Sequence, residues 1–198
     1  KAEIKSFLQS GFQVSKFKQA YGFKTLRTQD PAEVMRRIWA APTFEVHGLV
    51  GGYHGPGVKT VVPGHGELKV SMRLVPNQTP EKAFALLKKH VAKLNPEVTV
   101  EREGMLHPFR GVFDGPYVDA VKRAVKAGFG KEPAFIREGG SIGAVVTMQK
   151  AWKVPILFMG LSLPEHGYHA PNEYFDWGQA SGGMKAFVHY FAELAAKR

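Results

Sequence analysis

The segment ELKVSMRLV, residues 67–75, constrains the fold most because its apolar and polar side chains alternate. A strand of this kind presents one apolar face that must pack on a core and one polar face. The apolar face consists of Leu68, Val70, Met72 and Leu74, and the polar face consists of Lys69, Ser71 and Arg73. The earlier segment TFEVHGLV, residues 43–50, predicts a second strand, and the Gly-rich GGYHGPG after it predicts a loop that can closely approach another group.

Helical signals surround these strands. A Thr-Pro pair at residues 79–80 predicts the start of a helix that an Asn-Pro pair ends at residues 95–96. Residues 1–40 predict two earlier helical pieces, the second beginning at an Asp-Pro pair, and the alternating residues 98–101 predict a third strand. This order of elements favours a ferredoxin-like α+β domain over residues 1–106.

The rest of the chain has a different pattern. Residues 114–128 and 181–198 predict helices, and VPILFM at residues 154–159 predicts a short strand that is covered on both faces. Helices that alternate with a buried strand are typical of an α/β layer. We therefore predict an α/β (α+β) chain with a second domain over residues 107–198.

Composition limits the function. The 198 residues contain no cysteine, so thiolate chemistry is excluded and any metal must be held by imidazole and carboxylate groups. No apolar run reaches the roughly 20 residues that a membrane span needs, and a cytoplasmic location is expected. The formal charge of +10 permits nucleic-acid binding, but the basic residues are scattered along helix faces, which favours solvated surfaces and no nucleic-acid partner.

The segment LPEHGYHAPNEYFDW, residues 163–177, contains two histidines three positions apart. His166 and His169 follow the predicted buried strand, and functional groups in α/β sheets lie beyond the carboxyl ends of strands. A metal-binding loop is one interpretation. An ordinary polar loop, in which Asn172 and Glu173 cap the final helix, is equally compatible with the spacing.

A second candidate site is the segment IREGGSIGAVV. Its Gly139, Gly140 and Ser141 precede an apolar helix, where free backbone N–H groups are suited to a carboxylate or phosphate. Ser141 acting only as an N-cap explains the same pattern.

Three further polar residues are candidates for substrate binding. Arg73 can donate two parallel hydrogen bonds to a carboxylate, and His107 lies at the predicted domain junction, where clefts form. Thr60 completes the set, although each residue taken singly reads as an ordinary surface position. No GxSxG, HxD or HExxH motif is present, so hydrolysis by these residues alone has little support.

Four motifs in order form a recognisable family pattern. The stretch FEVHGLVGGYHGPGVKTVVPGHGELKVSMRLVPNQTPEK, followed by LHPF, REGGSIG and EHGYHAPNE, resembles the second part of a zinc-dependent dipeptidase. The superfamily is that of carnosine dipeptidase, acetylornithine deacetylase and succinyl-diaminopimelate desuccinylase, and the resemblance extends over the whole chain. It implies most of a ferredoxin-like lid, followed by the second half of an α/β zinc-peptidase catalytic domain.

The resemblance also implies roles for individual residues. His169, in the His-x-x-Asn-Glu pattern, matches a ligand of one ion in a centre of two divalent metals, with zinc expected and manganese or cobalt as alternatives. The positions that match substrate-gripping residues are Thr60, Arg73, His107, Gly139, Gly140 and Ser141. The implied substrate is a dipeptide or an N-acyl amino acid, and the implied partner is a second copy that binds through the lid.

The family's acidic ligands, its HxD motif and its general-base glutamate have no counterpart in these residues. We therefore interpret the chain as a fragment that is inactive alone, since one imidazole cannot hold a two-metal centre. The alternative is a non-catalytic dimerisation or binding module.

Overall fold

The computed structural model describes residues 2–139 and 142–196. Over these residues it contains helices, one antiparallel pair of strands and a 3-10 turn at Pro164–His166. The helices are α1 (Ala2–Leu8), α2 (Val14–Ala20), α3 (Pro31–Ala40), α4 (Pro80–Leu94), α5 (Pro116–Phe129), α6 (Gly143–Trp152) and α7 (Trp177–Ala195), and the strands are β1 (Thr43–Gly51) and β2 (Gly66–Arg73). The mixed helix-and-strand class is therefore confirmed.

The two predicted strands pair from Thr43 opposite Arg73 to Gly51 opposite Gly66. An irregularity between Val46 and Gly48 adds one residue to β1. Because side chains alternate between the faces of a strand, this extra residue keeps the apolar residues of both strands on one face. The resulting cross-strand pairs are Phe44 with Met72, Val46 with Val70, and Leu49 with Leu68.

Two predicted strands are absent from the described residues. Residues 97–113 and 153–163 contain no strand, although residues 98–101 and 154–159 have the expected apolar patterns. A strand requires a neighbour to satisfy its backbone N–H and C=O groups, and neither segment has one in the sheet of β1 and β2. Val154, Leu157 and Met159 instead line an apolar cavity of about 350 Å³ together with residues of α5 and α7.

Helix starts follow the predicted capping chemistry. The Thr79 side chain accepts a hydrogen bond from Lys82 N–H at 3.4 Å, and α4 ends before Asn95 as expected. At α3, Asp30 Oδ1 accepts from Ala32 N–H at 3.1 Å. The last helix begins at Trp177 rather than at residue 181, because the Asp176 carboxylate caps it.

The chain divides into two compact units that differ from the predicted domains. One unit contains residues 1–39 and 109–198, and the other contains residues 40–108. The prediction of a domain over residues 1–106 places the first 39 residues with the strands, whereas they pack with the C-terminal part. Ser6 Oγ, for example, donates to the Phe135 carbonyl at 3.0 Å, because α1 lies against that segment.

The packing of α5 on α7 forms a central part of the core of the larger unit. Val118, Ala120, Val121 and Ala124 of α5 are buried, as is Ala186 of α7. These small side chains permit a close approach of the two helices. No helix among the described residues has the length and apolar character that a membrane span requires.

Candidate functional site

The loop between Leu163 and Asp176 contains both histidines of the motif, and the structure gives them opposite environments. His166 is 2 % exposed, whereas His169 is exposed. The 3-10 turn Pro164–His166 places the first imidazole under the loop. The rings of Tyr174 and Phe175 pack around it, with centroids 5.0 and 5.6 Å from its own.

Both ring nitrogens of His166 are engaged. Nδ1 accepts a hydrogen bond from Leu163 N–H at 3.1 Å, so the neutral ring carries its proton on Nε2. Nε2 lies 2.8 Å from Asp176 Oδ2 and donates to that carboxylate. Because both of its ring nitrogens are engaged, His166 has no nitrogen available to a metal ion in this structure.

Asp176 has two functions in this loop. Its Oδ1 accepts from Gln179 N–H at 2.8 Å and caps α7, while its Oδ2 faces His166. The hydrogen bond from the Gln179 backbone, followed by that from His166, holds the pKa of the Asp176 carboxyl below its usual value. The alternative interpretation of the loop predicts that Asn172 and Glu173 cap the final helix. Asp176 is the N-cap instead.

His169 has the geometry of an available ligand. Its backbone is in the left-handed region, at φ +64°, and its N–H donates to Glu173 Oε2 at 3.4 Å. No hydrogen bond within the described part of the chain engages its ring nitrogens. A neutral imidazole of this kind is the donor that zinc prefers among nitrogen ligands.

A complete metal site is not formed by the described residues. Nowhere in residues 2–139 and 142–196 do three His, Asp or Glu side chains converge as ligands would. Zinc takes at least three protein ligands, so His169 fits a metal centre as one donor among others.

The predicted anion site is only partly described. Gly139 N–H donates to Glu138 Oε1 at 2.8 Å, so this amide does bind a carboxylate in the structure. Gly140 and Ser141 lie outside the described residues. The helix after them, α6, has Ile142 as its N-cap without a side-chain hydrogen bond.

The other predicted substrate residues lie in the smaller unit. Arg73 ends β2 on its polar face, and Thr60 is exposed in the loop that connects the two strands. His107 is also exposed, with Nε2 at 3.6 Å from Glu81 Oε1. The roles of these three residues, and of Gly139, stay predictions.

One contact of the loop has no signal in the sequence. The hydroxyl groups of Tyr168 and Tyr21 lie 3.1 Å apart, which joins the residue next to His169 to the end of α2. Burial, followed by this hydrogen bond, raises the pKa of the Tyr168 phenol. A contact between residues 147 positions apart cannot be inferred from periodicity or spacing.

Comparison with known proteins gives a consistent assignment. Residues 5–99 match the family model described as the peptidase dimerisation domain. The Cys-Gly metallodipeptidase of Schizosaccharomyces pombe is 32 % identical over 185 residues, which cover 90 % of this chain and 39 % of that protein. The chain thus spans about two fifths of the length of this relative.

Solved structures agree with the sequence relatives. Human carnosine dipeptidase 1 superimposes with a TM-score of 0.85 at 26 % identity, covering 99 % of this chain and 42 % of that one. An M20 family metallo-carboxypeptidase from Sulfolobus solfataricus gives a TM-score of 0.85 at 29 % identity, covering 96 % and 44 %. Both solved proteins are more than twice as long as the matched region.

Proposed function

We propose that this chain, which belongs to the M20 peptidase family, is the lid and C-terminal catalytic part of a metal-dependent dipeptidase. The substrate class is a dipeptide or an N-acyl amino acid, and the enzyme acts in the cytoplasm as a homodimer joined through the lid. In this proposal the chain supplies one metal ligand and most of the substrate-binding groups. The chain alone is inactive.

The observation that carries the proposal is the contrast between the two loop histidines. His169 is exposed, lies on a braced loop and has its ring nitrogens available among the described residues, whereas His166 is fully engaged. The Schizosaccharomyces pombe relative, 32 % identical over 185 residues, is a Cys-Gly metallodipeptidase. One free imidazole at a fixed position is what a shared metal centre requires from this part of the chain.

The chain's own residues have separate tasks in the proposed reaction. His169 would hold one of two divalent ions, zinc or alternatively manganese or cobalt, and such ions would supply polarisation of the scissile carbonyl and activation of the attacking water. Arg73 binds the terminal carboxylate of the substrate, and the amides of Gly139, Gly140 and Ser141 hold its oxygens together with Thr60 and His107. The general base is a glutamate outside these residues.

The direct test is an assay of the full-length protein on dipeptides and N-acyl amino acids. We expect hydrolysis that a chelator removes and that Zn²⁺, Mn²⁺ or Co²⁺ restores. No turnover across the panel with any of the three ions would contradict the proposal. The 198-residue chain alone should show no hydrolysis under the same conditions.

Arg73 provides a sharper test of substrate binding. A charge-assisted hydrogen bond contributes about 1.5–3 kcal/mol, so the full-length enzyme should prefer a free dipeptide over its C-terminal amide by roughly 10–100-fold in kcat/KM. Arg73→Gln should remove most of this preference, because it lowers the rate on the free dipeptide and not on the amide. Steady-state kinetics on the two substrates measure this difference.

Lys69 gives a matched control for this measurement. It lies on the same polar face of β2, four residues before Arg73. Lys69→Gln removes the same formal charge, yet it should leave the preference for the free carboxylate intact. Equal effects of the two substitutions would show that Arg73 contributes only to the general positive potential of the strand.

A second candidate function is a non-catalytic dimerisation or binding module. The match of residues 5–99 to a dimerisation domain favours it, as does the apolar face formed by the cross-strand pairs of β1 and β2. In that case the chain forms a stable dimer without metal, and adding a separate N-terminal half produces no hydrolysis. Metal-dependent hydrolysis by the combined halves would reject this alternative.

A further inference from the structure

We infer that His166 is a positioning residue which, paired with Asp176, fixes the loop that carries the metal ligand His169. The inference rests on the proposed function for the role of His169. The role of the first histidine of the motif is thus to hold the loop, and not to bind metal or transfer a proton.

His166 forms four hydrogen bonds that join both ends of the loop. Its N–H donates to the Leu163 carbonyl at 2.9 Å, and its Nδ1 accepts from Leu163 N–H at 3.1 Å. At the other end, its carbonyl accepts from Tyr174 N–H at 3.1 Å, and its Nε2–H donates to Asp176 at 2.8 Å. His169 lies between these two attachments.

The conformation of His169 requires such support. A residue other than glycine at φ +64° has its Cβ close to its own backbone, and this region is sparsely populated. Asn172 has the same left-handed geometry at φ +62°. Two strained positions within four residues persist only when the surrounding structure imposes them.

Other contacts brace the loop from outside. Glu173 accepts from the His169 N–H at 3.4 Å, and Tyr168 meets Tyr21 across the unit. These contacts involve residues before and after His169 in the loop. His166, by contrast, connects the loop to α7 through its hydrogen bond with Asp176. Since α7 is packed on α5, the pair of His166 and Asp176 connects His169 to the core of the unit.

A direct chemical role for His166 does not fit. Its ring is buried, and each nitrogen already has a partner of the correct type. A proton donor or acceptor in the reaction must reach the substrate or a water molecule. The ring is therefore suited to orienting the loop and not to contacting the reacting atoms.

Asp176→Ser in the full-length enzyme tests the inference. Serine is as good an N-cap as aspartate, so α7 keeps its cap, but the shorter side chain cannot reach His166 Nε2. We expect metal affinity, measured by chelator competition, to fall by roughly tenfold, as for other residues that orient a ligand. Excess Zn²⁺ should restore kcat, with KM for the dipeptide unchanged.

Asp30→Ser is the matched control. Asp30 also accepts a helix N–H, at the start of α3 in the same unit, and the described residues place no histidine on it. This variant should retain the metal affinity of the wild type. If both variants have wild-type affinity, the inference is overturned.

A readout without metal separates the inference from the proposed function. Hydrogen exchange of the His169 and Glu173 amides should be faster in Asp176→Ser than in Asp30→Ser, and equal rates would overturn the inference. If the wild type binds no divalent ion, the proposed function fails and the exchange rates still decide whether His166 holds the loop. If Asp176→Ser does not fold, His166→Gln replaces it. This variant keeps the contact to Asp176 but loses the acceptor for Leu163 N–H. It is expected to lower metal affinity and to speed the exchange of the His169 and Glu173 amides.

Discussion

Replacing His169 by alanine in the full-length protein is expected to reduce dipeptide hydrolysis by more than about 100-fold. Removing a residue that merely orients a ligand costs 10–100-fold, and removing the ligand itself should cost more. The loop has no second imidazole to take its place, because both nitrogens of His166 are occupied. The loss should come from metal binding and not from unfolding.

Two measurements distinguish these causes. Metal content after gel filtration should fall in His169→Ala, while the thermal unfolding midpoint of the metal-free protein should match that of the wild type, because the exposed ring packs on little. His189→Ala removes another exposed imidazole, on α7 of the same unit, and should alter neither quantity. Equal activity in the two variants would contradict the assignment of His169 as a ligand.

The elements that the sequence predicts well are those with local causes. The alternation in residues 67–75 predicts β2, and the capping chemistry of Thr79 predicts the start of α4, since both signals act within a few residues. The segments at residues 98–101 and 154–159 have equally clear patterns and form no strand. A strand depends on a neighbour, and the pattern of one segment does not state whether that neighbour is present.

The candidate site shows the same division. The motif identifies the loop, and the resemblance selects His169, but spacing alone treats His166 and His169 as equivalent. What separates them is a carboxylate ten positions away that also caps α7, together with the contact of Tyr168 with Tyr21. These are tertiary contacts, and the packing of residues 1–39 with the C-terminal part is another. Local sequence patterns do not predict contacts of this kind.

Because α5 packs closely on α7, we expect Gly128→Ala to lower the stability of the protein, whereas helix propensity alone predicts an increase. Gly128→Ala should stabilise an isolated helix by up to about 1 kcal/mol, since glycine is a poor helix former. In this structure a Cβ at residue 128 would lie 2.9 Å from Ala186 N and closer still to the Gly182 carbonyl oxygen. Both atoms belong to the backbone of α7, so they cannot rotate away, and we expect a net destabilisation of about 1–3 kcal/mol.

Two further variants set the scale of this effect. Ala127→Gly, on the exposed side of α5, should cost only the propensity difference of about 1 kcal/mol. Gly182→Ala would meet the ring of Phe129, a side chain that can shift, so its cost should be smaller than that of Gly128→Ala. Urea unfolding of the three variants measures the order. A Gly128→Ala protein as stable as the wild type would contradict this prediction. It would show that α5 and α7 move apart at little cost, and that the hydrogen bonds of Asp176 and the apolar contacts of Val121 and Ala124 tolerate a wider spacing.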